Sequence, residues 1–203
     1  ETVKMVEDLM NPISLMDGDS LPVSAFMGNP DGQFEHGAAA YEKRGTAVTV
    51  PTWNAEKCIQ CNQCAFVCSH ATIRPFMLSE DEVKAAPSNI KVADTKPKAS
   101  EYKYTMSVSP LDCMGCGECI TVCPVGAIEM VPQESQADEQ PVFDYLVANV
   151  SKKPGMPADN TVKGSQFNQP LLEFSGSCAG CAETSYARLI TQLFGEHMYI
   201  SNA

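Results

Sequence analysis

The chain has 203 residues, 44% apolar and 19% charged, a composition that can bury a core and excludes wholesale disorder. Twenty-five acidic against fourteen basic side chains leave a net charge of -11, which repels phosphate backbones and anionic membranes and argues against nucleic-acid and membrane partners. No apolar run approaches the roughly 18 residues of a membrane span, and the start (ETVKMVEDLM) has neither the basic nor the apolar stretch of a signal peptide. The ten cysteines are therefore read as metal ligands in a reducing, cytoplasmic setting rather than as a disulfide framework.

In chain order, residues 1–45 hold no cysteine and are rich in turn formers (Asn11-Pro12, Asp17-Gly18-Asp19, Asn29-Pro30-Asp31-Gly32), so a loop-dominated connecting segment is expected. The β-branched run Thr46–Val50 predicts a strand leading through Pro51 and Trp53 into a first cysteine run, Cys58, Cys61, Cys64 and Cys68. Ser79–Ser100 reads as a solvated insertion loop. Tyr102–Val108 predicts a strand entering a second run, Cys113, Cys116, Cys119 and Cys123, and Ala127–Val131 a strand leaving it. Gln133–Gln140 is polar and acidic, a surface excursion, and Ser151–Asn160 has the prolines and glycine of a linker. Tyr186, Leu189, Ile190, Leu193 and Phe194 then fall on one face of a helix, with Thr184 as its cap and Gly195 at its end; Met198–Ser201 reads as a strand.

Each cysteine of the second run, and Ile128 after it, lies 55 positions beyond its counterpart in the first, an internal repeat in fixed register. Both runs are C-x2-C-x2-C-x3-C. A cubane cluster needs one thiolate at each of four irons. Three cysteines spaced by two residues wrap one cluster, while the fourth lies a helical turn beyond the third and reaches the neighbouring cluster. That logic assigns Cys58, Cys61, Cys64 and Cys123 to one [4Fe-4S] cluster, and Cys113, Cys116, Cys119 and Cys68 to a second. Zinc prefers C-x2-C pairs across a longer spacer and fits poorly. Gly115 and Gly117 let backbone amides approach the sulfides, and Ile59, Ile120, Val122 and Ile128 are expected to exclude water. Ser69 stands where Pro124 follows the second run's last cysteine, and the adjacent His70 is expected to be a surface or capping residue.

Cys178 and Cys181 form a lone pair, too few for a cubane or a zinc site. They are either a redox dithiol or part of a third cluster whose remaining ligands lie elsewhere. The helix start beside them favours an anionic group, cluster or diphosphate.

The stretches CIQCNQCAFVCSHATIRP (58–75), CMGCGECITVCPVGAIEM (113–130) and VKGSQFNQPLLEFSGSCAGCAETSYARLITQLFG (162–195), with DGDSLPVSAF (17–26) and YEKRG (41–45), resemble pyruvate:ferredoxin oxidoreductase. The long third stretch is the most specific, since ordinary two-cluster ferredoxins lack it. The resemblance implies an internal slice of a large enzyme carrying thiamine diphosphate with magnesium, three [4Fe-4S] clusters and coenzyme A. That enzyme decarboxylates pyruvate to acetyl-CoA and passes single electrons to ferredoxin or flavodoxin, usually as a homodimer. It implies an α+β fold: a small linker domain (1–42), a ferredoxin-like two-cluster domain with pseudo-twofold repeat (43–150), and a linker with the first strand and helix of a thiamine-binding domain (151–203). By resemblance Cys178 and Cys181 are two ligands of the cluster nearest the thiamine, and Glu183 lies near the diphosphate. Ala182 and Ser185 depart from the Gly and Pro usual there. The remaining reading is a carrier without catalysis of its own, a dicluster ferredoxin subunit of another redox complex.

Overall fold

The computed structural model describes residues 2–96 and 101–201. The chain divides into two compact units, Glu1–Lys43 and Arg44–Ala203.

In the first unit, α1 (Thr2–Met5), a π-helical turn (Val6–Met10) and α2 (Asn11–Ser14) follow one another without a break. Met5, Val6 and Leu9 share one helical face and bury against Ala38, with Leu21, Ala25 and Phe26 packed alongside. Pro12 has no N–H to continue the helical ladder, and the helix is widened to i→i−5 just before it, the Asn11 amide donating to the Val6 carbonyl. Short 3-10 turns at Gly18–Ser20, Val23–Gly28 and Ala38–Tyr41 complete the unit. The expectation of a loop-dominated segment is thus corrected at its start. The Met5/Val6/Leu9 stripe is helical, and turn formers dominate only from Asp17 onward.

In the second unit the elements run β1 (Thr49–Trp53), α3 (Gln63–Val67), β2 (Ile73–Leu78), α4 (Glu80–Ala85), β3 (Ala93–Asp94), β4 (Lys103–Val108), α5 (Glu118–Thr121), β5 (Ile128–Pro132), α6 (Glu139–Asn149), α7 (Val162–Ser165) and α8 (Ala182–Phe194). β1 pairs antiparallel with β5, Trp53 opposite Ile128, and β2 pairs antiparallel with β4, Ile73 opposite Val108. The strand entering each cysteine run therefore pairs with the strand leaving the other. β3 adds a short rung on the far edge of β4. Pro51 and Pro75 lie within β1 and β2, each of which has only one partner strand among the described residues, the edge setting in which a strand tolerates proline. β1 starts three residues later than expected, and Ala47, in the approach to it, packs with Val50 and Cys113.

The main core joins Trp53, Ile73, Tyr104, Met106, Val108 and Ile128 to Cys64 and Cys119, with Cys58, Cys68 and Cys123 against it. The cysteines are walls of the core itself. Burying the apolar members contributes roughly 1.5–3 kcal/mol per large side chain. α6 covers a second cluster in which Val142 and Leu146 meet Leu78.

Several expectations change here. Within Ser79–Ser100, Ser79 and Glu82 form a reciprocal capping box that starts α4, and β3 follows; positions 97–100 lie outside the described residues. Gln140, read as surface, is buried and accepts hydrogen bonds from Ser109 Oγ (3.0 Å) and the Leu111 amide (3.2 Å), fixing the approach to the second run. Thr184 lies inside α8, its hydroxyl donating to the Cys181 carbonyl rather than capping the helix. Met198–Ser201 forms no strand. The α8 stripe faces largely outward: Tyr186, Ile190, Leu193 and Phe194 are 41–58% exposed and Leu189 is half-buried, while Arg188, Thr191 and Gln192 are buried. The polar face turns inward because its side chains hydrogen-bond to one another and to neighbouring backbone.

Candidate metal centres

Each four-cysteine run makes a loop, a short helix and a turn into a strand, and the backbone repeats with the sequence. Gln60, Asn62 and Ala71 have φ of 60°, 62° and 56°; the residues in the same register of the second run, Gly115, Gly117 and Gly126, have φ of 68°, 79° and 60°. This left-handed geometry is easy for glycine and strained for the other three. It turns amide N–H groups toward sulfur. Gln60 donates to Cys58 Sγ at 3.3 Å and Gly115 to Cys113 Sγ at 3.4 Å. The Ala127 amide donates to Cys123 Sγ at 3.2 Å, and Thr72 Oγ1 lies 3.4 Å from Cys68 Sγ.

In the first run the strained backbone is held by buried amide side chains. Gln60 donates to the Asp94 carbonyl and accepts from the Lys96 amide, both at 2.7 Å. Asn62 donates to the Lys163 carbonyl at 2.8 Å and accepts from Tyr104 Oη at 2.7 Å. In the second run the space is used differently. A Cβ on Gly115 would lie 3.0 Å from the Thr49 carbonyl oxygen, whereas one on Gly117 would meet nothing.

Burial governs the thiols. It pushes Cys64 well above its usual range and Cys113 up to about 11, and carries Cys119 to about 12. Neighbouring thiolate charge adds to each: Cys119, Cys58 and Cys61 act on Cys64, while Cys68, Cys113 and Cys116 act on Cys119. Thr72, at the exit of the first run, lies 3.4 Å from Cys68 Sγ and also hydrogen-bonds the Cys113 thiol, while the charge felt by Cys64 comes first from Cys119 of the second run and then from Cys58 and Cys61 of its own. Cys123 packs against the core that the two runs share. Among the described residues no three His, Cys, Asp or Glu side chains are placed to hold a single metal ion together. The donor set, thiolates with amide N–H groups directed at sulfur, is that of a sulfide-bridged cluster with one cysteine per iron. Of the apolar residues expected to exclude water, Ile128 is buried, Ile120 and Val122 are half-buried, and Ile59 is exposed.

Cys178 and Cys181 form a tight turn, the Cys181 amide donating to the Cys178 carbonyl, with Gly180 at φ 70°. A Cβ on Gly180 would lie 3.5 Å from Cys116 Cβ, so this turn abuts the second run. The Thr184 amide and hydroxyl and the Glu183 amide face the Cys181 thiol and hold its pKa below the usual range. Phe66 and Val67 of α3 line a cavity of about 340 Å³ with Cys181, Tyr186 and Leu189. Glu183 is exposed in the first turn of α8.

His70, expected at the surface, is instead buried. Its ring contacts Ser69 Oγ (3.1 Å) and the Ser177 carbonyl (3.0 Å), and its own carbonyl accepts from the Phe174 amide (2.9 Å). It pins the segment before Cys178 to the exit of the first run. Gln60, Asn62, Tyr104 and Arg188 also escape a reading of the sequence; the glycines at the repeat-related positions are the signal that could reveal the first two.

The two reciprocal cysteine runs define the class: residues 57–127 match a 4Fe-4S dicluster domain, and residues 1–47 match a domain of unknown function. The chain is 52% identical over 200 residues to a pyruvate-flavodoxin oxidoreductase of Klebsiella pneumoniae, which covers 98% of it and 17% of the relative. It is 49% identical over 208 residues to a pyruvate:ferredoxin oxidoreductase of Moorella thermoacetica, covering 100% and 17%, and 47% identical over 203 residues to a pyruvate dehydrogenase [NADP(+)] of Cryptosporidium parvum, covering 98% and 10%. The chain is similar over nearly its whole length to these pyruvate-flavodoxin and pyruvate:ferredoxin oxidoreductases and spans about a sixth of the length of the bacterial relatives. No helix among the described residues is long and apolar enough to cross a membrane.

Proposed function

We propose that this chain is the electron-transfer segment of an oxidoreductase that decarboxylates pyruvate with coenzyme A and reduces ferredoxin or flavodoxin. Cys58, Cys61, Cys64 and Cys123 hold one [4Fe-4S] cluster; Cys113, Cys116, Cys119 and Cys68 hold a second, related to the first by a pseudo-twofold axis. The observation that carries this reading is Thr72, whose hydroxyl lies 3.4 Å from Cys68 Sγ and also hydrogen-bonds the Cys113 thiol, setting the last cysteine of the first run beside the second run. The crossed strand pairing, β1 with β5 and β2 with β4, supports the same exchange.

Cys178 and Cys181 supply two ligands of a third cluster, completed by residues outside this chain. The contact of Gly180 with Cys116 supports an order in which electrons pass from that cluster to the second site and then to the first. Residues 151–203 open the thiamine-diphosphate domain, with Glu183 toward the diphosphate and its magnesium, and residues 1–42 form a linker domain of a homodimeric cytoplasmic enzyme. The bound clusters supply one-electron storage; the chain supplies spacing, dryness and amide dipoles.

The test uses the full polypeptide purified without oxygen. Cys61→Ala should abolish pyruvate-dependent reduction of ferredoxin and flavodoxin while thiamine diphosphate binding, followed by fluorescence quenching, is unchanged. Wild-type rates in this variant would overturn the proposal. A natural polypeptide with no pyruvate-dependent reduction of either acceptor would favour a carrier subunit instead.

A further inference from the structure

Two guanidinium groups are buried near the cysteine runs, and they are treated differently. Arg74 is paired with Glu173, donates to the Ala71 carbonyl at 2.6 Å, and lies over the Phe143 and Phe174 rings at 5.4 and 5.2 Å. Its charge is neutralised on the spot. Arg188, only 1% exposed, has no such partner among the described residues. Its Nη1 donates to Gln166 Oε1 (3.0 Å) and Gln192 Oε1 (2.6 Å), and its Nη2 to the Phe66 carbonyl (2.6 Å). Every acceptor is neutral, and the Nε–H has no acceptor among the described residues. Burial lowers the guanidinium's pKa, the nearby Cys68 charge raises it, and Arg74 lowers it further; no carboxylate acts on it.

A guanidinium stays charged in proteins, and burying it without a counter-charge is costly. A cluster with four thiolates is anionic and gains one more negative charge on reduction, with no bond made and no proton moved. We infer that Arg188 is the fixed counter-charge of the cluster ligated by Cys68, Cys113, Cys116 and Cys119, a positioning residue that sets its reduction potential. The inference rests on the ligand assignment proposed for that cluster. The Phe66 bond adds a mechanical role, since Phe66 lies in α3 between Cys64 and Cys68. Removing the charge disfavours the reduced state; removing only the fork geometry does not.

The experiment is a mediated reductive titration of the full-length protein, read by electron paramagnetic resonance, with iron and sulfide analysis. The second cluster's signal is identified as the one lost in Cys116→Ala. In Arg188→Gln the reduced-to-oxidised ratio of that cluster at its wild-type midpoint should fall about tenfold, ~59 mV for one electron, and the first cluster should change less. Arg188→Lys, which keeps the charge, should stay within about threefold. Equal shifts at both clusters, no shift in Arg188→Gln, or a lysine variant shifted as far as the glutamine one would overturn the inference. If Arg188→Gln fails to hold clusters, the lysine variant decides: a retained potential supports the counter-charge and a tenfold fall refutes it. Wild-type protein without iron and sulfide would instead refute the ligand assignment.

Discussion

The two cysteine loops reach the same backbone by different means. The first loop carries Gln60 and Asn62 at φ near 60° and holds them with four side-chain hydrogen bonds to Asp94, Lys96, Lys163 and Tyr104. Their partners come from β3 and the residue pair after it, from α7 and from β4, so the first loop is tied to the insertion and to the segment beyond the linker. The second loop uses glycine, needs no side-chain clamp at these positions and leaves Cys116 exposed beside Gly180. One loop is clamped by distant side chains; the other is preset by its own glycines and is open at Cys116 toward the Cys178–Cys181 turn. A ligand pattern fixes where thiolates go; the residues between them decide what else each site is attached to.

The contrast can be broken by substitution. Asn62→Ala leaves Tyr104 Oη and the Lys163 carbonyl without their buried partner and keeps the backbone strain, so it should destabilise the protein by about 3 kcal/mol and cost the first cluster its iron first. Iron content and a chemical denaturation midpoint read this; an unchanged midpoint would mean that the clamp is ornamental. Gly115→Ala, with φ 68° and the Thr49 carbonyl at 3.0 Å, should cost about 2 kcal/mol and strike the second cluster instead. Gly117→Ala has only the φ of 79° to overcome and should cost about 1 kcal/mol in the same denaturation assay. If the alanine variants at Gly115 and Gly117 proved equal, the close approach to Thr49 would carry no weight.

The smallest effect concerns the tether of the 151–160 segment. Lys153 Nζ donates to Glu82 Oε1 at 2.6 Å. Burial alone would raise the Glu82 pKa, but the Lys153 and Ser79 hydrogen bonds outweigh it and lower it. A depressed carboxylate stabilises the fold above its ordinary value, about 4.3, and loses that contribution as pH falls through the folded one. Cleavage within 151–160 by an acid-active protease should therefore accelerate as pH drops through this window in the wild type. Lys153→Met should cleave faster at pH 6 and show a shallower pH dependence.

The fold is most legible where chemistry is dense. The repeat register places both runs, and the strands around β4 and β5 fall within a residue or so of where β-branched and apolar residues point. What stays hidden depends on partners far away in sequence. Gln140 reads as one more polar residue until Ser109 and Leu111 need an acceptor. His70 reads as surface until Ser177 and Phe174 arrive to bracket it. The α8 stripe is truly periodic yet faces largely outward, because periodicity reveals a face without saying what it meets. The Ser79/Glu82 box, by contrast, is local and readable, and only the prolines around it obscure it.

Crossed ligation is the central claim, and paired cysteine variants read it most directly. The full-length protein carrying Cys61→Ala, Cys68→Ala or Cys123→Ala is reduced anaerobically, and its electron paramagnetic resonance spectrum is compared with the wild type. Crossed ligation requires Cys123→Ala to alter the same cluster signal as Cys61→Ala, and Cys68→Ala to alter the other. If Cys68→Ala and Cys61→Ala alter the same signal while Cys123→Ala spares it, each run closes its own cluster and the crossing is wrong.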